Sequence, residues 1–168
     1  NPFLGNRGIR LCLNNTEIFS EQIEAILLAA AGKSVKVMLP MITSVSEIRK
    51  ARALIDEVRE KLKAENKPFC EKLSLGIMIE TPASAVIAET LAKHCDFFSI
   101  GTNDLVQYVT AADRGNADVE NVYDPHHPAV LKLIEHVIST GKKAGIEVSV
   151  CGDLAANTEF TELLVGMG

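Results

Sequence analysis

Hydrophobic and polar residues alternate along the chain in two periods, one typical of helices and one typical of buried strands. Apolar side chains recur at helical spacing over residues 16–32 and 44–66, with polar or charged side chains on the opposite face. Short, mostly apolar runs predict strands at residues 35–39, 73–80, 97–100 and 147–150. Further helices are predicted at residues 83–94, just after residue 101, at 128–143 and at 158–165. Helices and strands therefore alternate without a linker, as in one domain.

This order of elements indicates an α/β fold with a parallel sheet. Helices, and never hairpin turns, separate consecutive strands, which calls for right-handed crossover connections. Two architectures fit this order. A doubly wound sheet would be complete at 168 residues, whereas a (β/α)8 TIM barrel takes about 250 residues and would lack roughly half of its units. The residue pattern alone leaves both open.

The composition narrows the class of protein and of partner. The chain has 47% hydrophobic residues and a net charge of −5, and its 17 Lys and Arg residues are scattered, which argues against nucleic acid as a partner. No apolar stretch approaches the roughly 20 residues that cross a membrane. The four cysteines form no C-x-x-C pair or disulfide framework, which favours reduced thiols in the cytoplasm. The first residues include no Met and no signal peptide, so we expect a chain that is cut at its start.

Polar residues follow three of the predicted strands, at the strand ends where parallel α/β folds bind ligands. Glu80 ends the second strand, Asn103 and Asp104 follow the third, and Cys151 ends the fourth. Glu80 and Asp104 can converge on Mg2+, a hard cation that prefers carboxylates together with water and substrate oxygens. An equally open alternative to metal binding is that these side chains stabilise helix N-termini. Glu80 precedes one predicted helix, and Asn103 or Asp104 can begin the next.

Two arginines and a cysteine complete the candidate chemistry. Arg7 and Arg114 lie in polar, glycine-containing loops, where a guanidinium can bind phosphate or carboxylate; a solvated surface arginine is the alternative for each. The Cys151 thiol can act as an acid or nucleophile, or can pack as a small hydrophobic side chain. No P-loop or dinucleotide-binding motif occurs, which argues against ATP or NAD bound in this chain.

Five motifs carry a resemblance to a known family. They are, in chain order, Asn1-Pro2-Phe3-Leu4-Gly5-x-Arg7, Glu80-Thr81-Pro82-Ala83, Phe97-Phe98-Ser99-Ile100-Gly101-Thr102-Asn103-Asp104-Leu105, Asp113-Arg114-Gly115-Asn116 and Cys151-Gly152-Asp153-Leu154-Ala155. Together they resemble the C-terminal phosphoenolpyruvate-binding domain of the Enzyme I family, the phosphoenolpyruvate-protein phosphotransferases of the bacterial sugar phosphotransferase system. Asn6 and Asp153 depart from that pattern, which usually has an aromatic residue and Glu at these positions.

The resemblance implies that residues 1–168 form a phosphoenolpyruvate-binding (β/α)8 barrel domain that is incomplete at both ends, with about strands four to seven present. It implies a role for each candidate residue: Mg2+ binding by Glu80 and Asp104, substrate binding by Arg7, Asn103, Asp104 and Arg114, and protonation of C3 of the enolate by Cys151. In this family the phosphoryl group passes to a histidine in a separate domain and then to the histidine-containing phosphocarrier protein.

Two expectations follow for the chain by itself. Without the other barrel strands, the first and fourth predicted strands have unpaired edges and uncovered apolar inner faces, so a homodimer is expected. Without the histidine domain, the chain is expected not to catalyse phosphotransfer. An inactive interaction fragment and the corresponding domain of a pyruvate phosphate dikinase or phosphoenolpyruvate synthase are the alternative interpretations.

Overall fold

Residues 2–168 of the protein, described here from a computed structural model, form a sheet of four parallel strands flanked by helices. The strands are β1 (Ser34–Leu39), β2 (Lys72–Ile79), β3 (Phe97–Gly101) and β4 (Glu147–Cys151), in the spatial order β1-β2-β3-β4. The register aligns Met78 with Ser99, and Ser99 with Ser149. The α/β class and the four parallel strands predicted from the sequence are confirmed. Asn1, the first residue of the first motif, lies outside the described residues.

Helices precede, connect and follow the strands. They are α1 (Ile9–Asn14), α2 (Thr16–Ala29), α3 (Val45–Ala64), α4 (Pro82–Val86), α5 (Ala88–Leu91), α6 (Thr102–Thr110), α7 (Pro128–Ala144), α8 (Asp153–Ala156) and α9 (Thr161–Met167). Short 3-10 helices lie at Pro2–Leu4, Ala92–His94, Ala117–Val119 and Thr158–Phe160. Between residues 2 and 168, no helix combines the length and the apolar character needed to cross a membrane.

The start of α3 shows how local sequence signals place an element. Glu47 reaches back to accept hydrogen bonds from the backbone amides of Thr43 and Ser44, at 2.7 Å and 2.8 Å. Ser44 and Glu47 thereby form a capping box at the first turn. One face of the helix, which includes Ile48 and Ile55, is buried, as the apolar period predicts. The helix predicted over residues 44–66 is therefore confirmed, with ends that differ by one or two residues.

The helix predicted over residues 83–94 is interrupted, which the sequence period does not show. It consists of α4, α5 and the 3-10 helix Ala92–His94. Ile87 leaves helical geometry between α4 and α5, with φ −98° and ψ 20°, and the adjacent β-branched side chains of Val86 and Ile87 disfavour a continuous helix there. The sequence also does not predict α1 and α8, because helices of six and four residues are too short for a period to appear.

The two faces of the sheet differ in character. On one face, Ile77, Ile79, Phe98 and Ile100 are completely buried in the hydrophobic core. The alternate positions point the other way, to a face that we call the open face; its members include Lys36, Met38, Gly76, Phe97, Ser99, Glu147, Ser149 and Cys151. The expectation of an apolar inner face is therefore wrong, because the alternation of the outer strands places charged and hydroxyl side chains on it.

Long side chains span the open face. Lys36 Nζ on β1 lies 2.6 Å from Glu147 Oε2 on β4, so the two side chains bridge strands that lie three places apart in the sheet. Lys36 reaches Glu147 across Phe97, whose ring centroid is 5.3 Å from Nζ. The Phe97 ring in turn covers Gly76, where an added Cβ would lie 2.3 Å from it. The side chains of Lys36, Phe97 and Glu147 therefore cover part of the open face.

Candidate active site

The carboxyl ends of β2, β3 and β4 bring Glu80 and Cys151 to one rim of the open face. Glu80 directly follows β2, and a Cβ added to Gly101 would lie 3.0 Å from both Cβ and Oε2 of Glu80. Gly101 at the end of β3 aligns with Cys151 at the end of β4. Since Gly101 carries no side chain, nothing from β3 separates the Glu80 carboxylate from the Cys151 thiol. We call this edge of the open face the rim.

Glu80 is a buried carboxylate with one backbone partner. Its side chain is only 5% exposed, and Oε1 accepts a hydrogen bond from the Met41 amide at 2.6 Å. Burial raises the pKa of the Glu80 carboxyl; the Met41 hydrogen bond lowers it, the neighbouring Asp104 raises it again, and the net shift is upward. Thr81, not Glu80, caps α4, because its hydroxyl accepts from the Ser84 amide. The side-chain cap of this helix is therefore Thr81, although Glu80 directly precedes it.

Asp104 lies beside Glu80 and binds Arg7. Asp104 is 6% exposed, and its Oδ2 accepts a hydrogen bond from Arg7 Nη2 at 2.8 Å. The other end of the Arg7 guanidinium donates to the Tyr108 hydroxyl at 3.3 Å, and Tyr108 donates to the carbonyl of Phe3. Arg7 is thus held at the rim by an ion pair and an aromatic hydroxyl, unlike a freely solvated surface arginine.

The helix-capping alternative for Asn103 and Asp104 does not match the structure. α6 begins at Thr102, with Gly101 as the preceding residue, so Asn103 and Asp104 are its second and third residues. No side chain makes a capping hydrogen bond at this helix start. Both side chains instead make contacts with distant segments of the chain.

α6 is tied to the end of β4 by two of these contacts. The Thr102 hydroxyl donates to the Cys151 carbonyl at 2.9 Å, and Asn103 Oδ1 accepts from the Asp153 amide at 2.9 Å. Gly152 passes between them with φ +100°, and a Cβ at that position would lie 2.4 Å from the Thr102 hydroxyl oxygen. Glycine is therefore required at position 152 for Asn103 and Cys151 to lie side by side.

Arg114 lies in the loop after α6. Its side chain is exposed and, among residues 2–168, makes no hydrogen bond or ion pair. Its backbone amide donates to Gln107 Oε1 at 2.8 Å. Tyr123 is near enough to be affected by its charge: burial raises the pKa of Tyr123, the Arg114 charge lowers it, and the net shift is upward. The Tyr123 hydroxyl donates to the Asn103 carbonyl at 3.2 Å.

Cys151 is a free, partly buried thiol with polar neighbours. Its Sγ accepts a hydrogen bond from the Ser99 hydroxyl at 3.6 Å and donates to the Ile100 carbonyl at 3.5 Å. Cys95 offers a contrast, because burial raises its thiol pKa to about 12 and its thiol donates to the Leu91 carbonyl one turn earlier. Cys151, by comparison, lies at the rim, where a ligand can reach it.

Three residues at the rim are absent from the sequence-based prediction, namely Gln107, Tyr108 and Tyr123. Gln107 and Tyr108 follow Asp104 by three and four residues on α6, so they share its helical face. That spacing is a signal from which they could have been predicted. Tyr123 lies in a loop without periodicity, and its contact with Asn103 joins residues 20 positions apart.

The charges at the rim favour a divalent cation. Glu80 and Asp104 are buried carboxylates, whereas Arg7 contributes one positive charge, so a net negative charge is left in a place of low polarity. Across the described part of the chain, no group of three or more His, Cys, Asp or Glu side chains is arranged to hold a metal ion. A cation at Glu80 and Asp104 would therefore need water and substrate oxygens as further ligands, as Mg2+ commonly does.

Comparison with known protein families gives a match over the whole chain. The sequence model of the family described as "PEP-utilising enzyme, PEP-binding domain" matches residues 1–168. The chain is 46% identical to the phosphoenolpyruvate-protein phosphotransferase of Listeria monocytogenes and 48% identical to that of Haemophilus influenzae, and both alignments cover 100% of the chain. The chain spans 29% of the length of each of these relatives.

Solved structures with a similar arrangement are aldolase and citrate lyase proteins of the TIM-barrel type. An HpcH/HpaI aldolase from Desulfitobacterium hafniense matches with a TM-score of 0.59 and 13% identity, over 88% of this chain and 58% of that chain. At this identity the similarity concerns the fold alone. It agrees with the parallel strands and flanking helices of part of a (β/α)8 barrel.

Proposed function

Because the chain belongs to the PEP-utilising enzymes and matches their PEP-binding domain, we propose that it is the phosphoenolpyruvate-binding part of a longer phosphoenolpyruvate-protein phosphotransferase. That protein transfers the phosphoryl group of phosphoenolpyruvate to one of its own histidines and releases pyruvate. The phosphoryl group then passes to the histidine-containing phosphocarrier protein, in the cytoplasm, at the start of bacterial sugar uptake. The names of the relatives favour this activity over that of a dikinase or synthase.

One observation supports this proposal most strongly: two buried carboxylates, a guanidinium and a thiol share one rim. Phosphoenolpyruvate carries a phosphate and a carboxylate, and its reaction leaves an enolate that must gain a proton. The rim offers Glu80 and Asp104 for a cation, Arg7 for an anion and Cys151 for the proton. A site with these groups fits phosphoryl transfer, in which positioning and charge stabilisation supply most of the catalysis.

The residues that bind substrate have separate tasks. Mg2+ held by Glu80 and Asp104 would stabilise the charge that develops on the phosphoryl and enolate oxygens. Arg7, oriented by Tyr108, binds the phosphate, and the exposed guanidinium of Arg114 supplies a second positive charge. Asn103 uses its Oδ1 on the Asp153 amide, which leaves its Nδ2 donor for a substrate oxygen.

Cys151 supplies the proton that completes pyruvate. The thiol S–H bond breaks as a C–H bond forms at C3 of the enolate, and the thiolate that remains regains a proton from solvent. The Ser99 hydroxyl, 3.6 Å from Sγ, can donate to that thiolate and stabilise it. The thiol therefore acts on the enolate and not on the binding of phosphoenolpyruvate.

The experiment is the Cys151→Ala variant of the full-length protein. We expect pyruvate formation to slow by at least about a hundredfold, with phosphoenolpyruvate affinity changed by less than about threefold, because a general acid acts in the transition state. Cys12→Ala is the matched control, since Cys12 is also partly buried but lies on α1. An equal loss of binding and rate, or no loss of either, would assign Cys151 to packing.

The sheet edges support the further proposal that these residues are an incomplete barrel. β1 and β4 each have one neighbouring strand among the described residues. An apolar groove of about 530 Å³ runs along β1, lined by residues that include Ile23, Val37 and Ile55. Further strands of the longer protein would cover both edges. The 168-residue chain alone should form a homodimer and should not transfer phosphate. Light scattering together with a phosphotransfer assay tests both, and a monomer that transfers phosphate would refute them.

A further inference from the structure

Gln107 anchors the loop that carries Arg114. Its side chain lies on α6 and is 4% exposed, and its Oε1 accepts the Arg114 amide hydrogen at 2.8 Å. The Gln107 backbone carbonyl also accepts from the Ala112 amide, at 3.2 Å. We propose that Gln107 is a positioning residue that presents the Arg114 guanidinium to the rim, an inference that rests on the proposed binding of phosphoenolpyruvate there.

The Arg114 loop needs such an anchor because its own conformation is irregular. Ala111 ends α6 with φ +55°, and Gly115 has φ +83°, so the backbone adopts left-handed geometry on both sides of Arg114. The Arg114 side chain makes no hydrogen bond or ion pair within residues 2–168 that would hold it. The backbone therefore sets the point from which the Arg114 side chain extends, and Gln107 binds the backbone of this segment at two points.

α6 also links this anchor to the carboxylates of the rim. Asp104 precedes Gln107 by three residues, so the two side chains lie on the same face, about 4.5 Å apart along the helix axis. The helix is rigid, and its first turn is fixed to β4 through Thr102 and Asn103. Through Gln107, the distance between the Arg114 loop and Asp104 is thus set by the helix and not by the loop.

The second polar atom of Gln107 supports a role beyond packing. Gln107 Nε2 is buried without a hydrogen-bond partner in the described chain, as is Asp113 Oδ1, and both residues line a cavity of about 200 Å³. A buried amide with an unmet donor destabilises the fold relative to an apolar side chain of the same size. Packing alone would therefore favour Leu or Met at position 107. The hydrogen bond to the Arg114 backbone is the contact that only a polar side chain can make.

The test compares three replacements of Gln107 in the full-length protein. Gln107→Met keeps the length and removes the acceptor, Gln107→Asn keeps the amide but is too short to reach Arg114, and Gln107→Glu keeps an acceptor oxygen in either protonation state. We expect Met and Asn to raise the KM for phosphoenolpyruvate about tenfold, whereas Glu restores it to within about threefold of the parent value. Mg2+ affinity without phosphoenolpyruvate should stay within about twofold in all three.

A double-mutant cycle with Arg114→Met distinguishes positioning from an independent effect. If Gln107 acts through Arg114, Gln107→Met should add less than about twofold to the KM of the Arg114→Met protein. Ile134→Val, in the buried face of α7, is the control for a mild loss of stability and should leave the KM unchanged. Multiplicative effects of the two changes, or a KM that Gln107→Met and Gln107→Asn leave unaltered, would overturn the proposal.

Amide hydrogen exchange separates failure of this inference from failure of the proposed function. Gln107→Met and Gln107→Asn should speed exchange of the Arg114 amide at least about tenfold, and Gln107→Glu should not. If Arg114→Met leaves phosphoenolpyruvate binding intact while the exchange results hold, the role of Arg114 is wrong and the positioning role falls with it. If Arg114→Met weakens binding but exchange and KM ignore Gln107, the function stands and the role of Gln107 is overturned.

Discussion

The two ends of the open face carry charges of different kinds. At the amino ends of the strands, Lys36 and Glu147 pair at 2.6 Å with side chains that are 55% and 63% exposed. At the carboxyl ends, Glu80 and Asp104 share a buried rim with the single guanidinium of Arg7. The first set balances one positive against one negative charge in water. The second contains two buried carboxylates, of which Asp104 is paired with Arg7.

This difference in burial and charge supports the proposal that the carboxyl ends, and not the amino ends, bind the metal ion. An exposed ion pair contributes little to stability, so its removal should matter little. Buried carboxylates close to each other destabilise the folded protein unless a cation compensates them. The upward shift in the pKa of Glu80, caused first by burial, is a consequence of that arrangement. The amino and carboxyl ends of the strands therefore differ more in the burial and pairing of their charged side chains than in the number of those side chains.

The largest effect should come from removing one carboxylate of the rim. In the full-length protein, Glu80→Gln or Asp104→Asn should lower Mg2+-dependent pyruvate release about a thousandfold, since a metal ion contributes several kcal/mol to the transition state. Glu147→Gln, the same change at the other end of the face, should leave the rate of the folded protein within about twofold. Steady-state kinetics and Mg2+ calorimetry provide the measurements. Full Mg2+-dependent turnover in both rim variants would refute the metal assignment.

Replacing either of two glycines on the open face adds a Cβ atom that clashes with its neighbours, which allows the two ends of the face to be compared without changing a charge. A Cβ on Gly101 would lie 2.8 Å from Met78 Sδ and 3.0 Å from Glu80 Oε2, so Gly101→Ala should displace the carboxylate and weaken Mg2+ binding about tenfold. A Cβ on Gly76 would lie 2.3 Å from the Phe97 ring, so Gly76→Ala should lower the free energy of unfolding by about 1–3 kcal/mol.

Calorimetry and urea unfolding of both glycine variants separate the effects. Gly76→Ala should leave Mg2+ affinity unchanged in the fraction that is folded. Weaker Mg2+ binding in Gly76→Ala than in Gly101→Ala would contradict the assignment of metal binding to the carboxyl end.

The sequence predicts the frame of the molecule well because the relevant signals are local. The capping box of Ser44 and Glu47 and the apolar face of α3 lie within one segment. The meeting of Glu80 and Asp104 follows from the order of parallel strands, since ends of adjacent strands share an edge. These inferences need only the identity of each element and the order in which the elements occur.

The contacts that give the rim and the open face their character are not local. Arg7 and Asp104 are 97 residues apart, and Lys36 and Glu147 are 111 residues apart. Neither pair has a spacing that a helical or strand period reveals. The expectation of an apolar inner face failed for a different, local reason, because the alternation of β1 and β4 places Lys36, Glu147 and Ser149 on that face.

The pH dependence of Mg2+ affinity should depend on Glu80 and not on Glu147. Mg2+ binds the carboxylate form, and the pKa of Glu80 is raised chiefly by burial. As the pH falls through that raised pKa, Mg2+ affinity should drop by at most about tenfold per pH unit. This drop should begin at a higher pH than it would for an ordinary glutamate, whose pKa is about 4.3. Calorimetry of the full-length protein at several pH values measures this, and Glu147→Gln should leave the profile in place.

The metal-free protein should show the opposite trend in stability. The folded state holds the Glu80 proton more tightly than the unfolded state does, so the unfolding free energy should rise as the pH falls through the raised pKa. Glu80→Gln should remove this contribution. A Mg2+ affinity that stays constant down to about pH 4.3 would show that Glu80 is not buried when it binds the metal.

In the 168-residue chain, the smallest effect should come from the ion pair at the amino end. Because both side chains are more than half exposed, a double-mutant cycle of Lys36→Met and Glu147→Gln in the 168-residue chain should give a coupling of at most about 1 kcal/mol in urea unfolding. The same cycle in the full-length protein tests what covers the open face. If further strands close a barrel over it, the pair becomes buried, and the single changes should each cost about 3–5 kcal/mol, because each leaves an unpaired buried charge. Small costs of the single changes in both proteins would mean that this end of the face stays in contact with water, and the barrel proposal would then be wrong for this end of its interior.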